Sequence, residues 1–516
     1  MNLSLVLICW GAFIVLVNLS GVYAHHFLEL GNNVMYPLGV SLGHTEYAIG
    51  SMLFFCGLLS LSYSAHYFGG VLAGLNKVIY LFLLVMGGLA SSNDILTSLS
   101  MWEYLGFVSF LLILYYSNYD TSYAAAVTIT SSRAGDVGLF FIFAAYFGSL
   151  WNGWILAICF FLVVATKSAV IPFTSWLLEA MRAPTPVSCL VHSSTLVAAG
   201  VWFIVNYGHW LDTFGADLLL MACVCTIIVS AYSALYFTDI KKIVALSTAN
   251  NIAWCTVYYI MGHGSLCVIQ LVSHGVAKCL LFMGVGDILS GSFGSQNLSS
   301  TFKAQSSAGM GWVGVAVLVL GIAGTPFQGV FFTKHLLLGG LGFNSNVVLG
   351  LALFYSVYLT YWYSARLLLL MGGVPGGVNN WIANNFAQVA CFLVLATAIN
   401  YSLSSNLSEN NSLGGLASAS VAAVQAGGLW SGLRYSSFNN SSAWYSALGG
   451  QDVIVKASYS WWLDLISSGS SLFYFRGEVA VARGVVNGNP SMGYLFTSSG
   501  LSVLLGLLGM IFVFFW

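Results

Sequence analysis

The sequence predicts an all-α, polytopic transmembrane helix bundle, and three features predict it. The 516 residues are 59% hydrophobic and only 6% charged, whereas soluble domains carry about 25% charged residues. The apolar runs reach the ~20 residues that a spanning helix needs, enough for roughly 14 to 15 spans. Strict alternation is missing and the runs are too long for barrel strands, which leaves helices as the way to satisfy the backbone in lipid.

Taken in order, spans are expected at 3–22, 44–64, 76–92, 96–116, 122–147 and 152–171. A short broken piece follows near 173–182, then spans near 187–206, 215–237, 242–261 and 265–290. Further spans fall near 310–332, 347–371 and 385–405, and a last one at 501–516. The start, MNLSLVLICWGAFIVLVNLSGVY, carries no basic n-region, small-residue cleavage site or Arg-rich transit pattern, so it reads as a retained first helix. Residues 406–452 form a Ser/Asn/Gly-rich connection with one possible helix at 414–431. Residues 453–499 are too polar to span. Between 453 and 489 they interleave Trp461, Trp462, Ile466 and Phe473 with Lys456, Asp464, Arg476, Glu478 and Arg483. That pattern suits a lateral amphipathic helix, with a plain basic loop as the alternative.

The net charge of −1 and the lack of a basic cluster argue against a nucleic-acid partner. The ten cysteines lie mostly within apolar runs, Cys223 and Cys225 being the nearest pair. No spacing suits zinc or iron–sulfur ligation, so they are read as small buried hydrophobes, and no metal is expected.

Four stretches carry chemistry. In Lys167-Ser-Ala-Val-Ile-Pro172 a lysine sits in an apolar run that a proline then breaks. An intramembrane lysine is costly and faces the bundle interior, and the proline frees carbonyls that need protein or water. Beyond Pro184 and Pro186, Ser188, His192 and Thr195 recur at i, i+4, i+7 and form one polar stripe on a regular helix. Lysine, break and stripe together read as a buried hydrated path. In IQLVSHGVAKCLLF, Gln270, His274 and Lys278 stand at i, i+4, i+8 on one helix face, giving successive polar sites at about one-turn, ~6 Å spacing. In GIAGTPFQGVFFTKHLLL, Pro326 breaks a helix and Lys334 follows two turns on, which suggests inverted repeats. Glu103 lies mid-span and needs a cation to stay charged. Arg133 and Asp136 lie one turn apart, and Asp239-Ile-Lys241-Lys242 opens a helix or a solvated loop.

The run KSAVIPFTSWLLEAMRAPTPVSCLVHSSTLVAAGVW closely resembles the signature of the antiporter-like proton-translocating subunits, and above all of their complex I subunit 5 branch. Specific motifs of the resemblance extend over residues 44 to 371. It implies a Glu103–Lys167 pair, since Glu103 matches the glutamate of the family's WE-x-x-G helix. It also implies a relay of Glu103, Lys167, His192, His274, Lys278 and Lys334, supported by Arg133, Asp136, Gln270, Ser188, Thr195 and His335. Gln270 stands where the family often has a second histidine, so that step would pass through water. His335 stands where an aspartate is common, and Lys334 matches subunit 5 where subunit 4 has glutamate.

The layout the family implies is an antiporter-like domain at 1–405, the connection at 406–452, the lateral segment at 453–499 and a terminal anchor at 500–516. The function it implies is proton pumping in the membrane arm of respiratory complex I in the mitochondrial inner membrane, beside subunit 4 and among lipids. Such a chain is a subunit of the proton-translocating NADH:ubiquinone reductase. It has no redox chemistry or cofactor of its own, FMN and iron–sulfur clusters belonging to partner subunits. The alternative is a subunit of a multi-subunit sodium/proton antiporter. A third reading, a scaffold without transport, conflicts with aligned buried cations.

Overall fold

Runs of Leu, Val, Phe and Ala at span length close into helices in the computed structural model of the protein. The structure describes residues 43–68, 73–148 apart from Asn93, 153–291, 309–340 apart from Phe327, 347–372 and 415–434, with Ser460 and Asp464. The chain divides into two compact units, Met1–Gln451 and Asp452–Trp516, and the helices below belong to the first.

The first four are α1 (His44–Tyr67), α2 (Ala73–Ser91), α3 (Ile95–Ile113) and α4 (Tyr119–Gly148). Next come α5 (Gly153–Lys167), the short α6 (Ser175–Glu179), α7 (Thr185–Leu190) and α8 (Leu196–Tyr207). They are followed by α9 (Thr213–Ala234), α10 (Ile240–Ile260), α11 (Gly264–Gly291) and α12 (Gly309–Ala323). The last are α13 (Phe331–Gly340), α14 (Val347–Gly372) and α15 (Gly415–Arg434). Asp94, Asp212 and Asp239 stand at the N-caps of α3, α9 and α10, where a negative side chain meets the positive helix end. Pro186 sits in the first turn of α7, where its missing N–H costs nothing.

Among the described residues seven helices are long and apolar enough to cross a membrane, and two more, Gly153–Lys167 and Val313–Ala323, are apolar but shorter. The protein is a multi-pass helical membrane protein. Large apolar side chains such as Leu84, Leu351 and Met221 point outward, as a lipid-facing belt does. The centre is equally plain. The apolar window of Thr185–Trp210 is 100% buried and that of Gly264–Ser290 is 89% buried, against 39% for Gly74–Ser91. The two enclosed segments are those carrying His192 and the His274–Lys278 pair.

Small residues set the close crossings. Gly275 of α11 lies against Ser194, a Cβ there being 3.5 Å from the Ser194 Cβ, and Gly200 of α8 lies on Ser168, 3.1 Å from its backbone nitrogen. Gly428 and Gly432 seat α15 on α14, where a Cβ at Gly428 would stand 2.6 Å from the Tyr358 carbonyl. Among the described cysteines all but Cys225 are buried, and all are free thiols.

Three local readings change. The helix carrying Lys167 ends at that residue and not at 171, because Ala169 takes a positive φ of 53° before Pro172. The span expected at 310–332 stops at Ala323. Gly324 (φ 88°) and Gly329 (φ 54°) turn the chain, and a new helix, α13, starts just before Lys334. The stripe expected on one regular helix is interrupted by a π turn at Val191–Thr195, which widens the helix and rotates Thr195 away from the face of Ser188. The expected spans at 3–22, 385–405 and 501–516 and the lateral helix lie outside the described residues.

Substitution at the α14–α15 crossing tests this packing. Gly428→Leu forces a side chain onto the Tyr358 carbonyl and should destabilise by about 1–3 kcal/mol, read as a lower Tm of the detergent-solubilised protein. Gly350→Leu, where nothing lies within 4 Å of the new Cβ, should leave Tm unchanged.

Candidate functional site

Helix ends and faces gather the predicted polar residues into three clusters. The first lies between α3, α4 and α5. Arg133 pairs with Glu103 of α3 and, at 3.3 Å, with Asp136 one turn on. The Asp136 carboxylate also accepts a bond of 2.9 Å from the indole N–H of Trp102. Lys167 closes the group. Its Nζ lies 5.2 Å from the centre of a Trp102 ring and within Coulombic reach of Asp136 and Arg133. Gly106 makes room for it, a Cβ there standing 3.6 Å from Nζ and 3.9 Å from Arg133.

The direct Glu103–Lys167 pair that the sequence suggested is therefore replaced. Glu103 is bound by Arg133, and among the described residues Lys167 Nζ has no hydrogen-bond partner. Arg133 wins because one guanidinium nitrogen, Nη1, stands between the two carboxylates, bonded to Glu103 and paired with Asp136. Lys167 approaches instead from the end of α5, above the flat face of Trp102.

The second cluster surrounds the π turn. His192 is fully enclosed. Neither ring nitrogen makes a well-formed hydrogen bond among the described residues, with the Ala180 carbonyl a weak acceptor. Lys241, at the start of α10, lies within Coulombic reach of His192 and donates to the Ala183 carbonyl at 3.5 Å. Ser188 and Thr195 bond back to their own helix, Ser188 to Pro184 at 3.3 Å and Thr195 to Leu190 at 3.0 Å. Ser188 thus holds the first turn of α7, and Thr195 the π turn.

The third cluster is the most continuous. Lys278 donates to the Val244 carbonyl at 3.0 Å and to the Ser247 hydroxyl. Asn251, one turn beyond Ser247, donates to the Ser247 carbonyl at 2.9 Å and accepts from Gln270 at 3.3 Å. Gln270 in turn accepts from Thr333, the neighbour of Lys334. Lys334 donates to the Ala323 carbonyl at 3.0 Å and stands over the Trp254 ring at 5.8 Å. His274 lies within Coulombic reach of both Lys278 and Lys334, with neither nitrogen hydrogen-bonded among the described residues. His335 is turned aside and stacks on Phe331 with ring centres 5.1 Å apart.

Sequence reasoning had not singled out Ser247, Asn251, Thr333, Trp102 or Arg366. Arg366 is buried and donates to the carbonyls of Ala234 and Phe237 at 2.8 and 3.1 Å, closing the end of α9. Asn250-Asn251 and Arg366 stand within apolar helices, and the cost of such residues in lipid is the signal that marks them. Among the described residues no group of three His, Cys, Asp or Glu could hold a metal ion.

Helices enclosing buried lysines and histidines, with apolar side chains facing outward, define a multi-pass membrane protein with cationic groups in its interior. The family model described as NADH:quinone oxidoreductase/Mrp antiporter, TM, matches residues 92–360, a span that holds every residue of the three clusters, and the chain belongs to that family. It is 34% identical to NADH-ubiquinone oxidoreductase chain 5 of Caenorhabditis elegans over 330 residues, covering 61% of this chain and 62% of that protein. It is likewise 34% identical to chain 5 of Ascaris suum, over 60% of this chain and 58% of that one. Chain 5 of Locusta migratoria is 33% identical, over 61% and 58%. The chain thus spans about three fifths of the length of the curated relatives it matches. Its fold is similar to solved structures from the Mrp complex of Dietzia sp. (TM-score 0.72, 20% identity, 93% of this chain and 60% of that one). It is also similar to a chain of the archaeal membrane-bound sulfane sulfur reductase (TM-score 0.66, 16% identity, 81% and 93%).

A double-mutant cycle checks the pairing in the first cluster. Glu103→Gln and Arg133→Gln should couple in thermal stability by at least about 0.5 kcal/mol. Glu103→Gln and Lys167→Met should couple by less.

Proposed function

We propose that this chain is a proton-translocating membrane-arm subunit of respiratory complex I, coupling NADH:ubiquinone oxidoreduction to proton movement through its buried Lys and His residues. One observation carries the reading: Lys167, His192, His274, Lys278 and Lys334 are all enclosed in the bundle, where an isolated cation costs several kcal/mol. The names of the curated relatives support the complex I assignment. On this reading the chain lies in the mitochondrial inner membrane among lipids, beside subunit 4 and other membrane-arm subunits. FMN and iron–sulfur clusters belong to those partners, and this chain contributes proton transfer.

Charge moves in steps. A proton on Lys278 is repelled when Lys334 is charged and not when Lys334 is neutral, with His274 beside both as an acceptor whose nitrogens are open among the described residues. Gln270 holds no proton, so it orients Thr333 and Asn251, and water carries that step. At the first cluster, Arg133 fixes both carboxylates, and a change in its grip on Asp136 alters how firmly the Lys167 ammonium is held. The repeated break-plus-lysine pattern supports two inverted repeats. The boundaries at 405/406, 452/453 and 499/500 belong to the same reading, with the segment from Val453 onward as a strap to other subunits.

The fold likeness to the Mrp complex supports a second reading, a sodium/proton antiporter subunit. One preparation separates them. In liposomes, a complex containing this chain should move protons with NADH and quinone present and sodium absent, and Lys167→Met or Lys278→Met should lower the protons moved per NADH while the complex stays assembled. Proton movement that requires sodium and ignores NADH would favour the antiporter. Deletion from Val453 onward should release the subunit, seen as its loss from the complex on a native gel.

A further inference from the structure

The relay clusters account for α3, α4, α5, α7, α10, α11 and α13, but among the described residues one buried carboxylate stands outside them. Asp287 lies in the last turns of α11, nine residues beyond Lys278. Its side chain is 2% exposed, and Oδ1 lies 3.6 Å from Nε2 of His66, whose side chain is 37% exposed. The second carboxylate oxygen, Oδ2, has no hydrogen bond of good geometry among the described residues, and neither has the buried Thr185 hydroxyl. The Tyr63 hydroxyl faces both of them. Gly286 allows this: a Cβ there would collide with the Tyr63 hydroxyl and come within 3.1 Å of the Thr185 hydroxyl.

The placement of these residues is common to all. His66 is in the last turn of α1, Asp287 near the end of α11, and Thr185 is the first residue of α7. Lys241 is the second residue of α10 and donates to Ala183, two residues before Thr185. These helix ends meet, and the group runs from a partly exposed imidazole through a buried acid to two buried hydroxyls, with Lys241 on the carbonyl two residues before Thr185. A buried carboxylate with an oxygen left open needs a proton or a cation, and its ion-pair partner here is a residue that itself exchanges protons with water.

We propose that His66 and Asp287, with Tyr63 and Thr185, form a proton port that joins one aqueous face to Lys241 and His192. The proposal rests on the relay reading above. His66 takes a proton from water and gives it to the Asp287 carboxylate. The acid passes it to the Tyr63 and Thr185 hydroxyls, each accepting one proton and donating another. Water beside the Ala183 carbonyl delivers it to the neutral amine of Lys241, and Asp287 returns to its carboxylate. Nothing is consumed, and one proton has moved from the surface to the interior.

The test uses the assembled complex in liposomes, counting protons moved per NADH oxidised, with assembly checked on a native gel. Asp287→Asn should lose as much of that yield as Lys278→Met, and Asp287→Glu should regain most of it. His66→Ala should lose yield too, and imidazole in the medium on one side of the membrane should restore it. Wild-type yield in Asp287→Asn alongside a loss in Lys278→Met overturns the port and leaves the relay standing. A loss in Asp287→Asn and His66→Ala that neither glutamate nor imidazole relieves makes the group structural and also overturns the port. Wild-type yield in both Asp287→Asn and Lys278→Met overturns the relay reading itself.

Discussion

An ammonium group moved from water into a bundle of apolar helices needs acceptors, and the effective penalty without them is several kcal/mol. This chain supplies several of the acceptors at helix ends. The last carbonyls of a helix have no partner along the chain and sit at its negative end. Lys334 docks on Ala323, the final residue of α12, and Arg366 docks on Ala234, the final residue of α9. Lys241 docks on Ala183, just past the turn that follows α6. All three carbonyls belong to buried residues. The Gly324 break and the turn before Pro184 thus supply acceptors for Lys334 and Lys241, whereas Lys278 uses the Val244 carbonyl within α10.

The acceptors are sufficient for some groups and insufficient for others, and that difference separates structure from transport. Arg366 binds two carbonyls and holds a permanent charge, so it closes a helix end. Lys167, His192 and His274 are as deeply buried but have open nitrogens among the described residues. Lys167 lies over the Trp102 ring and near Asp136, and His274 lies near Lys278 and Lys334, so none of the three is fixed by a close hydrogen bond. Two of the three sit beside a deliberate irregularity. His192 lies within the π turn, and Lys167 is the last residue of its helix. Next to His274, Gly275 leaves room for Met52 of α1, whose sulfur a Cβ there would overlap.

Helix positions were legible because membrane thickness fixes run length, and the described helices from α1 to α11 fall close to where the apolar runs place them. The Gln270–His274–Lys278 face was legible for the same kind of reason, since a four-residue period survives in any α-helix. Partner choice was not. Whether Glu103 meets Lys167 or Arg133 depends on how α3, α4 and α5 cross, and no local pattern encodes that. The π turn left no mark either, because its wider hydrogen bonding requires no particular residue, and so the Ser188–His192–Thr195 stripe was assigned to a regular face. Asn251 and Thr333 were missed because each reaches Gln270 from another helix. The polar cost that marked Lys167 applied equally to Asn251 and Arg366.

The proposed relay requires that the enclosed lysines and histidines face one another through water inside the bundle. A structure of the assembled complex that resolves ordered water tests this most directly. It should show water bonded to the nitrogens of His274 and bridging it to Lys278 and Lys334, with both lysine heads still on the Val244 and Ala323 carbonyls. His274 bonded only to protein in a dry apolar cavity, or either lysine head turned outward to the lipid surface, would contradict it.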